Sequence, residues 1–307
     1  MNRVAAITVA VMGVILIVLG ALKIAPGLIQ SGVTLIVFAC IIVGLSFIGK
    51  PEADETPRQP TAWTLANIFF SPGEVFQHLR RHPRWLAAAL IMAVMSTIYG
   101  NLFVNRLTPE RVANHTIDKT LEMSFLNDAA RTQIEAGRKD AIAEAANPIT
   151  RAAGALAGFA WSTIGYLVLA ALFLLFALAM GGRINFWQAF SAVIYAAFPV
   201  AVIRFVLNVL LLYIKDPVDI HPIIGQTSLV QDNPSFLVTS SQNPVLFTLL
   251  GAFSLLGFYW IFMNAIGLKN AGERVSSSTA WAASIGVYLI LVVLMVIMAF
   301  LFPSFIK

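Results

Sequence analysis

Seven stretches of this chain run for 19 to 28 residues without one acidic side chain. They are Val4 to Leu22, Leu28 to Ile48, Trp85 to Val104, Ala155 to Ala179, Phe186 to Tyr213, Val245 to Leu268 and Thr279 to Phe302. A bilayer's hydrocarbon core, about 30 Å thick, is crossed by a helix of about 20 mostly apolar residues, and every stretch has that length. Hydrophobic residues make up 59% of the chain and charged ones 11%, against roughly 25% charged in a soluble domain. No water-soluble core could hide that much apolar surface. The expected fold is all-α: a polytopic membrane bundle of about seven transmembrane helices, with one amphipathic helix at the interface.

Punctuation between the stretches gives the organisation. "KIAPG" closes residues 1–50 into an N-terminal hairpin. The first stretch is longer than a signal-peptide core and lacks a good cleavage site, so it is expected to stay as an anchor. Residues 51–62 mix charge with proline and read as a linker. Residues 63–307 then form a five-span domain with a long loop at 105–153. That loop carries seven basic and seven acidic residues. Its Thr108, Pro109 and Glu110 read as a helix start, and one or two amphipathic helices are expected there.

A net charge of +5 could suggest nucleic acid, but no basic stripe with interleaved aromatics lies outside the spans, so no nucleic-acid partner is expected. In a membrane protein, basic excess reports topology and anionic lipid. Arg3, Lys50, Arg58, Arg80, Arg81, Arg84, Arg183, Lys269 and Arg274 fall on one side if the spans alternate, which makes that side cytoplasmic and puts the C-terminus opposite. The single cysteine, Cys40, lies in a span and excludes intrachain disulfides and cysteine zinc clusters.

The segment "FSPGEVFQHLRRHPRW" introduces the third span. Ser71 as cap, Pro72 as first helical residue and Glu74 three positions after the cap predict a capping box over a helix at 72–82. Val75, Phe76 and Leu79 share one face and Glu74, Gln77, Arg81 and Arg84 the other, so the helix is expected to lie flat in the interface. Arg80, Arg81 and Arg84 are then the candidate contacts for lipid headgroups or a partner. Glu74, His78 and His82 recur at metal-ligand spacing, but His82 precedes Pro83 at the helix end and Arg81 shares its side. No metal and no other cofactor is assigned.

Inside the spans, Arg204 is the only charged residue. With no acidic partner in any span, it must use carbonyls, Asn208, water or a lipid phosphate. Tyr195, Pro199, Arg204 and Asn208 therefore form a candidate intramembrane polar site. The absence of carboxylates in the spans argues against a proton relay. Gly154 and Gly158 make a GxxxG pair, and Ala189, Ala192 and Ala196 a small-residue face. Both are assigned to packing within the monomer, with a homo-oligomer left open. No nucleophile elbow, zinc-protease helix, phosphate loop or dinucleotide fingerprint occurs, so no catalytic residue is assigned and an enzyme is not expected.

"FSPGEVFQHLRRHPRW" together with "GGRINFWQAFSAVIYAAFPVAVIRFVLNVLL" and "NPVLFTLLGAFSLLGFYWIFMNAIGLKNA" resembles the bacterial branch of the Yip family, the five-span Rab-interacting membrane proteins. The resemblance covers roughly residues 65–302 and leaves the hairpin outside. It implies a cytoplasmic segment before a five-helix bundle, and a non-enzymatic scaffold organising lipid or membrane-protein partners. The eukaryotic members' aspartate-leucine-tyrosine-glycine signature is missing, so Rab binding does not transfer. A permease or lipid-handling protein with its site near Arg204 is the alternative. A multi-pass protein of the bacterial inner membrane is expected, with anionic membrane lipids and membrane proteins as partners.

Overall fold

The computed structural model describes residues 2–49 and 56–306. Residues 51–55 of the 51–62 linker, as well as Met1, Lys50 and Lys307, lie outside the described residues. The hairpin is α1 (Asn2–Ala21) and α2 (Leu28–Leu45), followed by α3 (Thr61–Asn67), α4 (Pro72–Arg81) and α5 (Leu86–Leu107). Next come α6 (Pro109–Leu121), α7 (Asp128–Ala136), α8 (Arg138–Ala146), α9 (Pro148–Ala179) and α10 (Phe186–Ile214). The chain closes with α11 (Ile224–Thr227), α12 (Pro244–Gly251), α13 (Leu255–Ala271) and α14 (Ser277–Leu301). Among the described residues there is no strand, only one isolated backbone bridge between Arg183 and Arg274. The all-α membrane bundle expected from the sequence is the fold observed.

Among the described residues, six helices are long and apolar enough to cross a bilayer: α1, α2, α5, α9, α10 and α14. The seventh expected span, Val245 to Leu268, is instead the pair α12 and α13, bent by 47°. The break has a chemical cause. Asp232, from the loop after α10, accepts from Ser254 Oγ at 2.8 Å and from the Leu256 N–H at 2.7 Å. Ser254 accepts in turn from the Gly257 N–H at 3.0 Å, so α13 has its own capped start within an apolar run. On the other side of the break, the Ala252 carbonyl accepts from the Tyr288 hydroxyl of α14. Backbone groups released by a bend inside a bundle need such partners.

The helix starts follow a common local chemistry. Asn147 caps α9, with Pro148 first in the helix, and Ser276 caps α14. Asn185 caps α10 in a full capping box, its side chain accepting from the Trp187 N–H while Gln188 Oε1 accepts from the Asn185 N–H, both at 2.8 Å. The long loop forms three short helices, α6 to α8, where one or two were expected. Thr108 caps α6 as anticipated, at φ +74° in a sharp turn out of α5. Arg138 ties α8 back to α6 through Asp118 at 2.7 Å and Asn114 at 3.0 Å.

The core is built around α10. Every residue from Trp187 to Val200 is buried, as befits a helix that is apolar all round. Ala189, Ala192 and Ala196 let neighbours close in, and a Cβ on Gly267 of α13 would lie 3.5 Å from that of Ala192. The hairpin docks on α9, where Phe38 meets Phe159 edge to face at 6.2 Å and Thr150 Oγ1 donates to the Pro26 carbonyl. At the hairpin's far end, Trp187 Nε1 donates to the Ile48 carbonyl at 3.3 Å.

Candidate functional site

The short helix α4 sits at the bundle end where α5, α10 and α14 begin. Its apolar stripe does not face lipid. Val75, Phe76 and Leu79 are fully buried and join the core of α10 and α13. The helix therefore plugs the end of the bundle, and the expectation of an apolar face turned to the membrane interface is corrected: protein covers that face. A 3.6-residue pattern marks which face is apolar, and says nothing of whether lipid or protein covers it.

The cap expectation is also corrected. Ser71 occupies the N-cap position and Pro72 the first helical position, but Ser71 makes no side-chain cap bond and Glu74 is exposed. The backbone at Ser71, φ −135° and ψ 60°, departs from the extended geometry that aims a cap oxygen at the third N–H. What holds α4 is tertiary. Gln188 of α10, itself buried, donates to the Arg80 carbonyl at 2.9 Å and caps the C-terminal end. Gln77 donates to Asn270 of α13 at 3.4 Å.

The three arginines separate. Arg80 and Arg81 stay on the exposed side of α4. Arg84 turns inward, donating to Thr61 at 3.4 Å, to Thr64 and to His78 Nε2 at 3.1 Å, so it clasps α3, α4 and the start of α5. It is a structural clamp, in place of the headgroup contact foreseen for it. His78 accepts through Nε2, which requires that nitrogen unprotonated. Burial first, then the positive charges of Arg84, His82 and Arg81, hold its pKa below the usual histidine range. His82 is buried, with Nε2 at 2.9 Å from the Thr56 carbonyl. Both histidines are thus committed to hydrogen bonds. Among the described residues no group of three metal-ligating side chains assembles.

The intramembrane set does not converge either. Asn208 is buried and spends its Oδ1 on the Leu229 N–H at 2.8 Å and on Ser228 Oγ at 3.3 Å, pinning the loop after α10 instead of pairing with Arg204. Tyr195 lies nine residues before Arg204 on the same helix, about 14 Å along its axis. Its hydroxyl is buried near the Arg84 end, where it and Ser191 Oγ have no hydrogen-bond partner among the described residues. Pro199, buried in α10, cannot donate to the Tyr195 carbonyl four residues back. Arg204 is half-buried, with Tyr166 of α9 in electrostatic range and no acceptor for Nε among the described residues. The four residues mark three places along one helix.

Sequence reasoning missed Asp232, which controls the break in the seventh crossing, and Arg111, whose guanidinium binds the carbonyls of Pro217, Val218 and Ile220. Both act on segments distant in sequence. The Asn185 and Gln188 capping box was legible by the same rule applied to Ser71 and Glu74, and escaped notice.

The remaining charge is partitioned between the two ends. The α4 end carries Arg58, Arg80, Arg81, Arg84, Arg183, Lys269 and Arg274 against Glu74 and Glu273 among the described residues. At the opposite end, among the described residues, α6 to α8 and the 215–243 loop carry more acidic than basic residues, and Lys23, Arg106 and Arg151 bring that end close to balance. In a comparison with known families, the Yip1 domain matches residues 66–301. Comparisons with curated proteins and with solved structures give no match.

Proposed function

The chain belongs to the Yip1 domain family of membrane proteins, and from that premise we propose that it is a non-enzymatic scaffold that organises anionic lipid and membrane-protein partners at its α4 face. One observation carries this reading: α4 buries its whole apolar stripe in the bundle while Arg80 and Arg81 remain exposed on its outer side. A charged surface on a helix fixed by tertiary packing is a rigid platform, and juxtamembrane basic residues each contribute about 1 kcal/mol against an anionic leaflet. The excess of Lys and Arg at this end supports placing it, with the N-terminus, in the cytoplasm, and the C-terminus in the periplasm of a bacterial inner membrane. Family membership points away from catalysis. The scaffold reading is preferred to a permease or lipid-handling protein with its site near Arg204, because Tyr195, Pro199, Arg204 and Asn208 are spread along α10 and Asn208 bonds Leu229.

The test is mild extraction of the tagged protein, followed by mass spectrometry of what co-purifies. An Arg80→Gln, Arg81→Gln variant is expected to lose anionic lipid and partner proteins at unchanged thermal stability. Full retention of both would remove the α4 face from the proposal.

A further inference from the structure

We propose that the cleft between α5 and α9, at the end opposite α4, binds one glycerophospholipid and takes its phosphate at Arg151. The cleft has a volume of about 400 Å³, within the range of small-molecule sites. Small residues line it on both helices, yet they do not serve close packing as the GxxxG pair suggested. A Cβ built at Gly100, Gly154 or Gly158 meets nothing within 4 Å. These glycines leave space. In a bilayer, a lateral space of that size fills with lipid or water.

Its walls are apolar over most of their area and carry a few polar groups, in helices apolar enough to cross a membrane. Ser96, Thr97, Asn101, Ser162 and Gln226 contribute hydroxyl and amide groups, and no carboxylate lines the cleft. Arg151 is the single charge. Its Nη2 donates to the Asn101 carbonyl at 3.3 Å and to Asn105 Oδ1 at 3.1 Å, which fixes the guanidinium at the mouth. Nε and Nη1 have no acceptor among the described residues, which leaves donors for a phosphate; guanidinium is the side chain best matched to that group.

Depth and flanks point to a lipid over free phosphate. α9 has 32 residues, about 48 Å, so it overhangs the roughly 30 Å hydrocarbon core by about 18 Å. Arg151 is the fourth residue of the helix and lies in that overhang, at headgroup height. Trp161, 62% exposed, stands ten residues deeper, about 15 Å along the helix, at acyl-chain depth. Val94, Ile98 and Leu156 are exposed beside the cleft, an apolar flank for acyl chains. Phe159 forms part of the wall and packs on Phe38, so the N-terminal hairpin, outside the family match, supports the site.

The full chain in mild detergent would be titrated with dioleoyl phosphatidylglycerol and followed by native mass spectrometry. One bound lipid is expected for the wild type, surviving millimolar inorganic phosphate. The Gly154→Leu, Gly158→Leu pair fills the cleft and should bind at least tenfold more weakly; Arg151→Gln should weaken binding similarly, with recovery in Arg151→Lys. Arg80→Gln, Arg81→Gln should bind like the wild type, which separates this site from the α4 face. Undiminished binding by the leucine pair, or displacement by inorganic phosphate, overturns the proposal. Should the leucine pair fail to fold, undiminished binding by Arg151→Gln does so.

Discussion

Replacing Asp232 with alanine should loosen the start of α13 and leave the rest of the bundle intact. Its carboxylate accepts from Ser254 Oγ at 2.8 Å and from the Leu256 N–H at 2.7 Å. A hydrogen bond to a charged group contributes about 1.5–3 kcal/mol. Asp232 is half-exposed, so solvent screening reduces the pair to about 2–4 kcal/mol. At about 1.4 kcal/mol per factor of ten, local opening becomes roughly 30- to 700-fold more frequent. Hydrogen exchange read by mass spectrometry on peptides covering Leu255 to Phe258 measures this, with α10 peptides as the internal reference. Asp232→Asn keeps the shape and one acceptor while losing the charge, and should fall between the two. Native exchange at Leu256 and Gly257 in a folded Asp232→Ala variant would refute the argument that this carboxylate holds the break.

Two further changes test the plug beneath the bundle. Phe76 is fully buried, and a Cβ on Gly267 would approach its ring to 3.2 Å, so Phe76→Ala should cost about 3–5 kcal/mol and Gly267→Ala about 1–3 kcal/mol through overpacking, both read as loss of thermal stability in detergent. His78 contributes a pH dependence. Because burial and neighbouring positive charge lower its folded pKa, its stabilising contribution is complete above the unfolded value of about 6.5 and is lost as pH falls through the folded value. Between pH 8 and pH 5 the wild type should lose more melting temperature than His78→Asn. His115 shifts in the same direction, so the difference between the two proteins, and not the wild-type slope alone, isolates His78.

Much of the architecture was written locally. Six of the seven expected apolar stretches follow as long helices from matching apolar length to bilayer thickness, and α4 and α6 begin at Pro72 and Pro109 because proline there forgoes only an N–H the helix does not use. The split of basic residues between the two ends follows once the spans alternate. These properties depend on neighbours within about four residues, or on a solvent of fixed thickness, and a single sequence contains both.

What the tertiary structure decided is which partner each marked group met. The stripe of Val75, Phe76 and Leu79 was visible as an apolar face, but packing against α10 and α13 turned it inward. Arg84 reads like Arg80 and Arg81 in sequence; contact with Thr61, Thr64 and His78 made it a clamp. Gly154 and Gly158 fit a close-packing motif, and the paths of α5 and α9 left open space beside them. Asp232 stands 22 residues ahead of the serine it binds, and no periodicity connects them. Helix pattern and length are set by short-range hydrogen bonding and hydrophobic transfer, whereas the partner of a polar or small side chain is set by where distant segments pass.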